Sequence, residues 1–245
     1  MSKKKSSNIY RKFNQKYGCL NLQCLINEKK RLFSKMVLIS RKEIDSLVDC
    51  IPVIENHDHF FEVQSCDNYS YFNSEDYDNN LLMIRGYAST ALFFMKIIRS
   101  SGSKYVKSCY IAPCLYCFRH YVELILKDTL WYYSRCGYSI DMSKLNEEHN
   151  IVALWDKLLP LTGRKDEKTR NIGRLLHELS DFDKCGTTFR YSYRFSEKDR
   201  IQNEPLNLRI DNKKLYTRML QIYRFLQGLN DEIEFGYGEM DNYNM

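Results

Sequence analysis

The sequence predicts a mainly α protein, one helical domain with a small β-hairpin before its last helix. Three observations carry this expectation. Glycine and proline are scarce, 10 and 4 of 245 residues, which disfavours turn-dense all-β folds. Apolar residues between Leu81 and Ile98 recur at three- and four-residue spacings, the period of an amphipathic helix. From Tyr110 to Leu126 nearly every position is apolar or aromatic, as in a helix buried on most sides.

With 44% hydrophobic and 14% aromatic content, the chain can bury a full core. The net charge of +6 is unevenly spread: residues 1–35 hold ten Lys/Arg against Glu28, whereas the body carries 27 bases and 30 acids. A basic N-terminal arm, 1–35, is thereby separated from a single domain, 36–245. Phosphate binding by counterion release is confined to the arm or to a local patch. Nine cysteines (19, 24, 50, 66, 109, 114, 117, 136, 185) form an odd set without a regular framework, which reads as reduced thiols. With no apolar leader and no run of 18 apolar residues, the expectation is a cytoplasmic chain that does not span a membrane.

Along the chain, Ser40-Arg41-Lys42-Glu43 resembles a capping box that starts a short helix through Leu47 or Val48,. A polar connection over 52–78 contains His57-Asp58-His59. Asp76 or Asp78 caps a helix to about Ser100, ended by Ser101-Gly102-Ser103,. A longer helix runs from about Lys104 to Ser134, bent near Pro113 and closed by Gly137,. Helices from about Glu147 to Leu159 and from Asp166 to Leu179 follow, the first ended by Pro160 and Gly163,. Aromatic and branched residues over 189–195 and 206–210 predict the hairpin, and the last helix starts near Asn212 and runs to about Gln227.

On the helix centred at residue 120, Arg119, His120, Glu123 and Lys127 fall within one arc of about 100°,. Burying any of them unpaired is costly. In one reading Arg119 pairs with Glu123, Glu123 meets Lys127, and the stripe satisfies itself against a neighbouring helix. In the other the stripe floors a groove, with Arg119 as bidentate phosphate donor and His120 as titratable partner.

The run Tyr116-Cys117-Phe118-Arg119-His120-Tyr121-Val122-Glu123-Leu124-Ile125-Leu126-Lys127, followed by His149-Asn150-Ile151-Val152-Ala153-Leu154-Trp155, resembles bacterial helical proteins of the HEPN superfamily. Phe189-Arg190-Tyr191 and the terminal helix also fit, so the resemblance covers roughly residues 78–230. It implies an up-and-down helical bundle that often dimerises, found in bacterial defence, toxin or abortive-infection loci. RNA or nucleotides would be its ligands, a second copy or a protein from the same locus its partner, and no cofactor is implied. His149 joins Arg119, Glu123 and Lys127 in the structural polar stripe.

Catalytic HEPN ribonucleases carry an Arg, usually followed by a polar residue, and a His after four to six intervening residues. Arg170-Asn171-Ile172-Gly173-Arg174-Leu175-Leu176-His177 matches that pattern with six intervening residues. The resemblance implies catalytic roles for Arg170, Asn171 and His177, with metal-independent cleavage assisted by the ribose hydroxyl. Seven residues are almost two turns, so Arg170 and His177 lie about 20° apart around the helix, with Arg174 between them,. Arg164 extends the basic face, and Arg119 and His120 complete the candidate RNA-binding set. The opposing readings are a solvated basic face on a non-catalytic branch, and a module that binds a protein partner.

Other motifs carry less chemistry. His57-Asp58-His59 offers at most two ligands, and Cys114-x-x-Cys117 lacks the second pair a structural zinc site needs,. Gly236-Tyr237-Gly238 is no nucleotide-hydrolysis motif,. No metal site is expected.

Overall fold

The computed structural model of the chain describes residues 70, 78–183, 188–190, 193–195, 200–202 and 209–243, all within one compact unit, Asn56–Met245. The basic arm, the capping-box helix from Ser40 and His57-Asp58-His59 lie outside the described residues. What is described is mainly α, a helical bundle.

Helix α1, Asn79–Ser100, begins where Asp78 Oδ1 accepts from the Leu81 amide at 3.0 Å, satisfying one of the orphan donors of the first turn. Its buried Ile84, Ala88, Ala91, Met95 and Ile98 alternate steps of four and three and so form one stripe, which lies along α2, Lys104–Arg135. Small side chains permit a close approach there: Cys114 Sγ donates to the Ala91 carbonyl at 3.2 Å.

The long α2 is the hub, packing against α1, α4 and α6. Its middle buries Cys117, Phe118, Tyr121, Val122, Ile125 and Leu126, so the near-absence of a polar face in the sequence reflects burial on several sides. Helical structure continues through the exposed Pro113. At the C-terminus the Gly137 amide bonds the Ser134 carbonyl and the Tyr138 amide bonds the Tyr133 carbonyl, both at 3.2 Å. Gly137 at φ 92° and the edge-to-face Tyr133–Tyr138 contact at 5.3 Å complete a Schellman cap.

Helix α3, Met142–Glu147, replaces a stretch the sequence leaves irregular; Asp141 caps it and Leu145 anchors it in the core. Helix α4 is Ile151–Thr162, later than the expected start at Glu147, because Asn150 Oδ1 caps the amides of Val152 and Ala153. Pro160 sits inside its last turn, and Gly163 at φ 63° ends it. Helix α5, Glu167–Phe182, is capped by Asp166, which accepts from both the amide and the hydroxyl of Thr169.

Two differences from expectation follow. A ladder between 189–195 and 206–210 is not seen among the described residues. Residues 188–190 form a turn, 203–208 lie outside the described residues, and the pairing present is three residues long, Tyr193–Phe195 (β1) against Arg200–Gln202 (β2). The last helix, α6, runs Asn212–Tyr243 rather than stopping near Gln227. Past that point it still buries Leu229 and Asn230, and Asn230 Nδ2 donates to Asp128 Oδ2 at 3.0 Å and to Thr129 Oγ1 at 3.1 Å on α2. Tertiary anchoring thus carries the helix beyond Gly228 despite that residue's poor helix propensity.

Candidate functional site

Two arginine-histidine constellations stand on different helices, and their surroundings differ sharply. On α2, the Arg119 side chain is 4% exposed. Its Nη1 meets Glu123 Oε2 at 3.2 Å, its Nη2 donates to the His149 carbonyl at 2.7 Å, and its Nε donates to the Asp183 carbonyl at 3.1 Å. Glu123 Oε1 in turn takes Lys127 Nζ at 3.2 Å and His149 Nδ1 at 2.8 Å. A carboxylate only accepts, so His149 Nδ1 carries the proton in this contact. Lys127 also donates to the Asn146 carbonyl at 3.2 Å.

Two cations, Arg119 and Lys127, therefore face two anions, Glu123 and Asp183, with side chain and backbone both recruited. Asp183 is fully buried; its Oδ1 accepts from the Thr188 amide at 2.8 Å, while Oδ2 stands 3.5 Å from Arg119 Nε without a hydrogen bond. Burial alone would raise the Glu123 carboxyl, but the hydrogen bonds and charges of His149 and Lys127 outweigh it and hold it below the ordinary value. The cluster ties α2 to the α3–α4 connection and to the end of α5. With all three Arg119 nitrogens engaged inside, the expected bidentate donation from Arg119 to a substrate phosphate is not available.

His120 points elsewhere. Its ring packs edge-on to Tyr87 at 4.4 Å and stacks on Tyr116 at 6.1 Å. Burial lowers its pKa below the ordinary 6.5, Arg119, Lys127 and His149 adding to the effect and Glu123 opposing it. A half-buried ring between two tyrosines, its pKa lowered, suits packing better than the role of titratable partner in a phosphate groove.

The second constellation is open. A surface cleft of about 240 Å³ between α4 and α5 is lined by Trp155, Asp156, Leu159, Arg164, Thr169, Arg170, Gly173, Arg174 and His177. It brings together Arg164, Arg170, Arg174 and His177, four of the residues singled out in the sequence; Asn171, exposed on the same helix, is not in its lining. Arg164 pairs with Glu232 of α6 and stands 5.7 Å over the Phe225 ring. Arg174 is 3.6 Å from Glu178, both largely exposed, a pair that water screens and that contributes little. Arg170 Nη1 donates to the Lys165 carbonyl at 3.2 Å and has no carboxylate partner among the described residues. His177 is exposed and has no hydrogen bond among the described residues.

Sequence reasoning missed Asp183, which has no local motif, and the floor of the cleft. At that floor a Cβ built on Gly173 would stand 2.8 Å from Trp155 Nε1, so the glycine is what lets α5 cross the indole edge. A glycine in mid-helix costs about 1 kcal/mol relative to alanine. That is the one signal in the sequence pointing at position 173.

Remaining candidates are chemically quiet. Burial pushes the Cys114 thiol up to about 12, with Cys117 adding to it, and burial raises Cys117 as well, which suits packing rather than reactivity. Among the described residues no three His, Cys, Asp or Glu side chains are grouped to hold a metal ion. Among them, too, α1 alone has the length and mean hydropathy to cross a bilayer, a property shared by core helices, and its buried stripe lies on α2.

Compared with family models, curated proteins and solved structures, the chain matches none.

Proposed function

We propose that this chain is a phosphate-binding helical protein whose site is the α4–α5 cleft. More particularly, it is a HEPN-like effector or accessory subunit of a bacterial defence or stress system, cytoplasmic, built as an up-and-down bundle and associated with RNA or nucleotides. The observation that supports this reading is the convergence of Arg164, Arg170, Arg174 and His177 on one open cleft, while the chemically similar Arg119 group is internally neutralised. Exposed guanidinium groups suit phosphoryl oxygens by shape and charge.

The chemistry available there is metal-independent RNA cleavage. Arg170 would hold the scissile phosphate and His177 would take the proton of the ribose 2′-hydroxyl. The O2′–P bond then forms as the P–O5′ bond breaks, giving a 2′,3′-cyclic phosphate; the leaving 5′-oxygen takes a proton from water in the open cleft, and His177 returns its own to solvent. Incubation with RNA in the presence of a chelator tests it. Cleavage by the wild type that is lost in His177→Ala and in Arg170→Ala is expected; intact RNA with the wild type overturns the ribonuclease step.

A second reading, a non-catalytic module that binds a second copy or a protein from the same locus, is favoured by the exposed Leu82 and Met83 on α1. Beside them lies a shallow hollow lined by Met83, Gly86, Tyr87, Thr90 and Cys117. Absence of RNA binding at low salt would favour that reading over the first.

A further inference from the structure

The floor of the α4–α5 cleft holds a donor without an acceptor. Trp155 is 2% exposed and lines the cleft, yet its indole N–H has no hydrogen-bond acceptor among the described residues. Among the described residues the one buried side-chain polar atom without a hydrogen bond is Asp183 Oδ2, so the indole N–H is not sealed in the core but open to the cleft and to water. The missing side chain of Gly173 leaves this N–H uncovered, because a methyl there would stand 2.8 Å from Nε1. Arg170, Arg174 and His177 line the same cleft, together with the carboxylate of Asp156, so two guanidinium groups share the space with the indole.

We propose that the Trp155 indole N–H, uncovered by Gly173, is the floor donor of the cleft and hydrogen-bonds a phosphoryl oxygen of a nucleotide whose other oxygens meet Arg170 and Arg174. This rests on the reading of the cleft as a phosphate site and names the group that fixes the ligand's depth. Indole N–H is donor only, so its partner is an acceptor atom, and the neighbouring guanidinium groups favour one that belongs to an anion. A cleft of about 240 Å³ suits one nucleotide unit, either free or as part of a single-stranded RNA, and the phosphoryl chemistry is common to both.

The chain has two tryptophans, so the ¹⁵N-labelled full-length protein gives two indole cross-peaks, and Trp131→Phe assigns them. Titration with AMP, and separately with a short single-stranded RNA, should move the Trp155 indole proton downfield to saturation while the Trp131 peak stays. Movement with AMP alone assigns a free nucleotide, and movement with RNA alone assigns a polynucleotide; either supports the proposal. Arg170→Ala should remove the movement at the same ligand concentration. Trp155→Phe, which keeps an aromatic ring and deletes the donor, should weaken binding about 10-fold, as expected for loss of a hydrogen bond to a charged group. Arg170-dependent shifts of α5 amides with an unmoved Trp155 indole peak would overturn the floor donor and leave the phosphate site standing. No perturbation by either ligand overturns both.

Discussion

Arg119 and Arg170 are alike in chemistry and opposite in situation. Arg119 is buried against Glu123, Asp183 and two backbone carbonyls; Arg170 is exposed and bonds a single carbonyl, that of Lys165. The first arrangement fixes three chain segments together, and the second leaves a guanidinium able to change partners. Residue type alone therefore does not mark a site. Enclosure and the number of internal partners decide whether a cation holds the fold or meets a ligand.

The largest effect should come from breaking the enclosed group. Arg119→Ala leaves Glu123 and Asp183 short of their cation, and removal of one partner from a buried ion pair costs about 3–5 kcal/mol. Denaturant unfolding should show that loss; a change below about 0.5 kcal/mol, the range of ordinary surface substitutions, would place Arg119 outside the stabilising framework.

Gly173→Ala should come next. Its methyl overpacks the Trp155 edge, at a cost of about 1–3 kcal/mol, partly offset by about 1 kcal/mol of helix propensity. A net destabilisation of about 1 kcal/mol is expected from thermal unfolding. A stabilised variant would show that α4 and α5 are not held at the separation seen.

The acid side of the stability curve sharpens the contrast. The Glu123 carboxyl titrates lower in the folded chain than its ordinary value, so its contribution is present above that value and is lost as pH falls through the lowered one. His120, lowered by burial, adds a loss beginning near 6.5. Asp128 and Glu234, raised by burial, act the other way and gain as pH falls through their raised values. Glu123→Gln should be less stable at neutral pH and should flatten the steepest acid limb. An acid limb identical to that of the wild type would remove Glu123 from it.

The smallest effects on stability belong to the cleft. Arg170→Ala and His177→Ala should each change unfolding by less than about 0.5 kcal/mol, as for exposed positions without buried partners. A loss above about 2 kcal/mol in either would make the cleft a second structural cluster and dissolve the contrast.

Much of this is legible in the sequence. Helix starts are marked by Asp78 and Asp166, whose caps are local, and the α2 pairing of Arg119, Glu123 and Lys127 follows from four-residue spacing. So does the shared face of Arg170, Arg174 and His177 follow from helical periodicity. What escapes depends on distant partners. Asp183 meets Arg119 across 64 residues, and Trp155 meets Gly173 only because α4 and α5 cross there. The reach of α6 past Gln227 depends on Asn230 bonding α2, about 100 residues away. Local propensity has no access to such pairings.

The central claim, that the open cleft and not the α2 cluster meets the ligand, is tested most directly by RNA affinity measured against salt for the wild type and for Arg170→Ala/Arg174→Ala. The account predicts an unchanged melting temperature and a slope of log affinity on log salt shallower by about 1.4, or about 0.7 for each arginine withdrawn from a single-strand phosphate. An unaltered slope and affinity in the double variant, or no binding by the wild type at low salt, would contradict it.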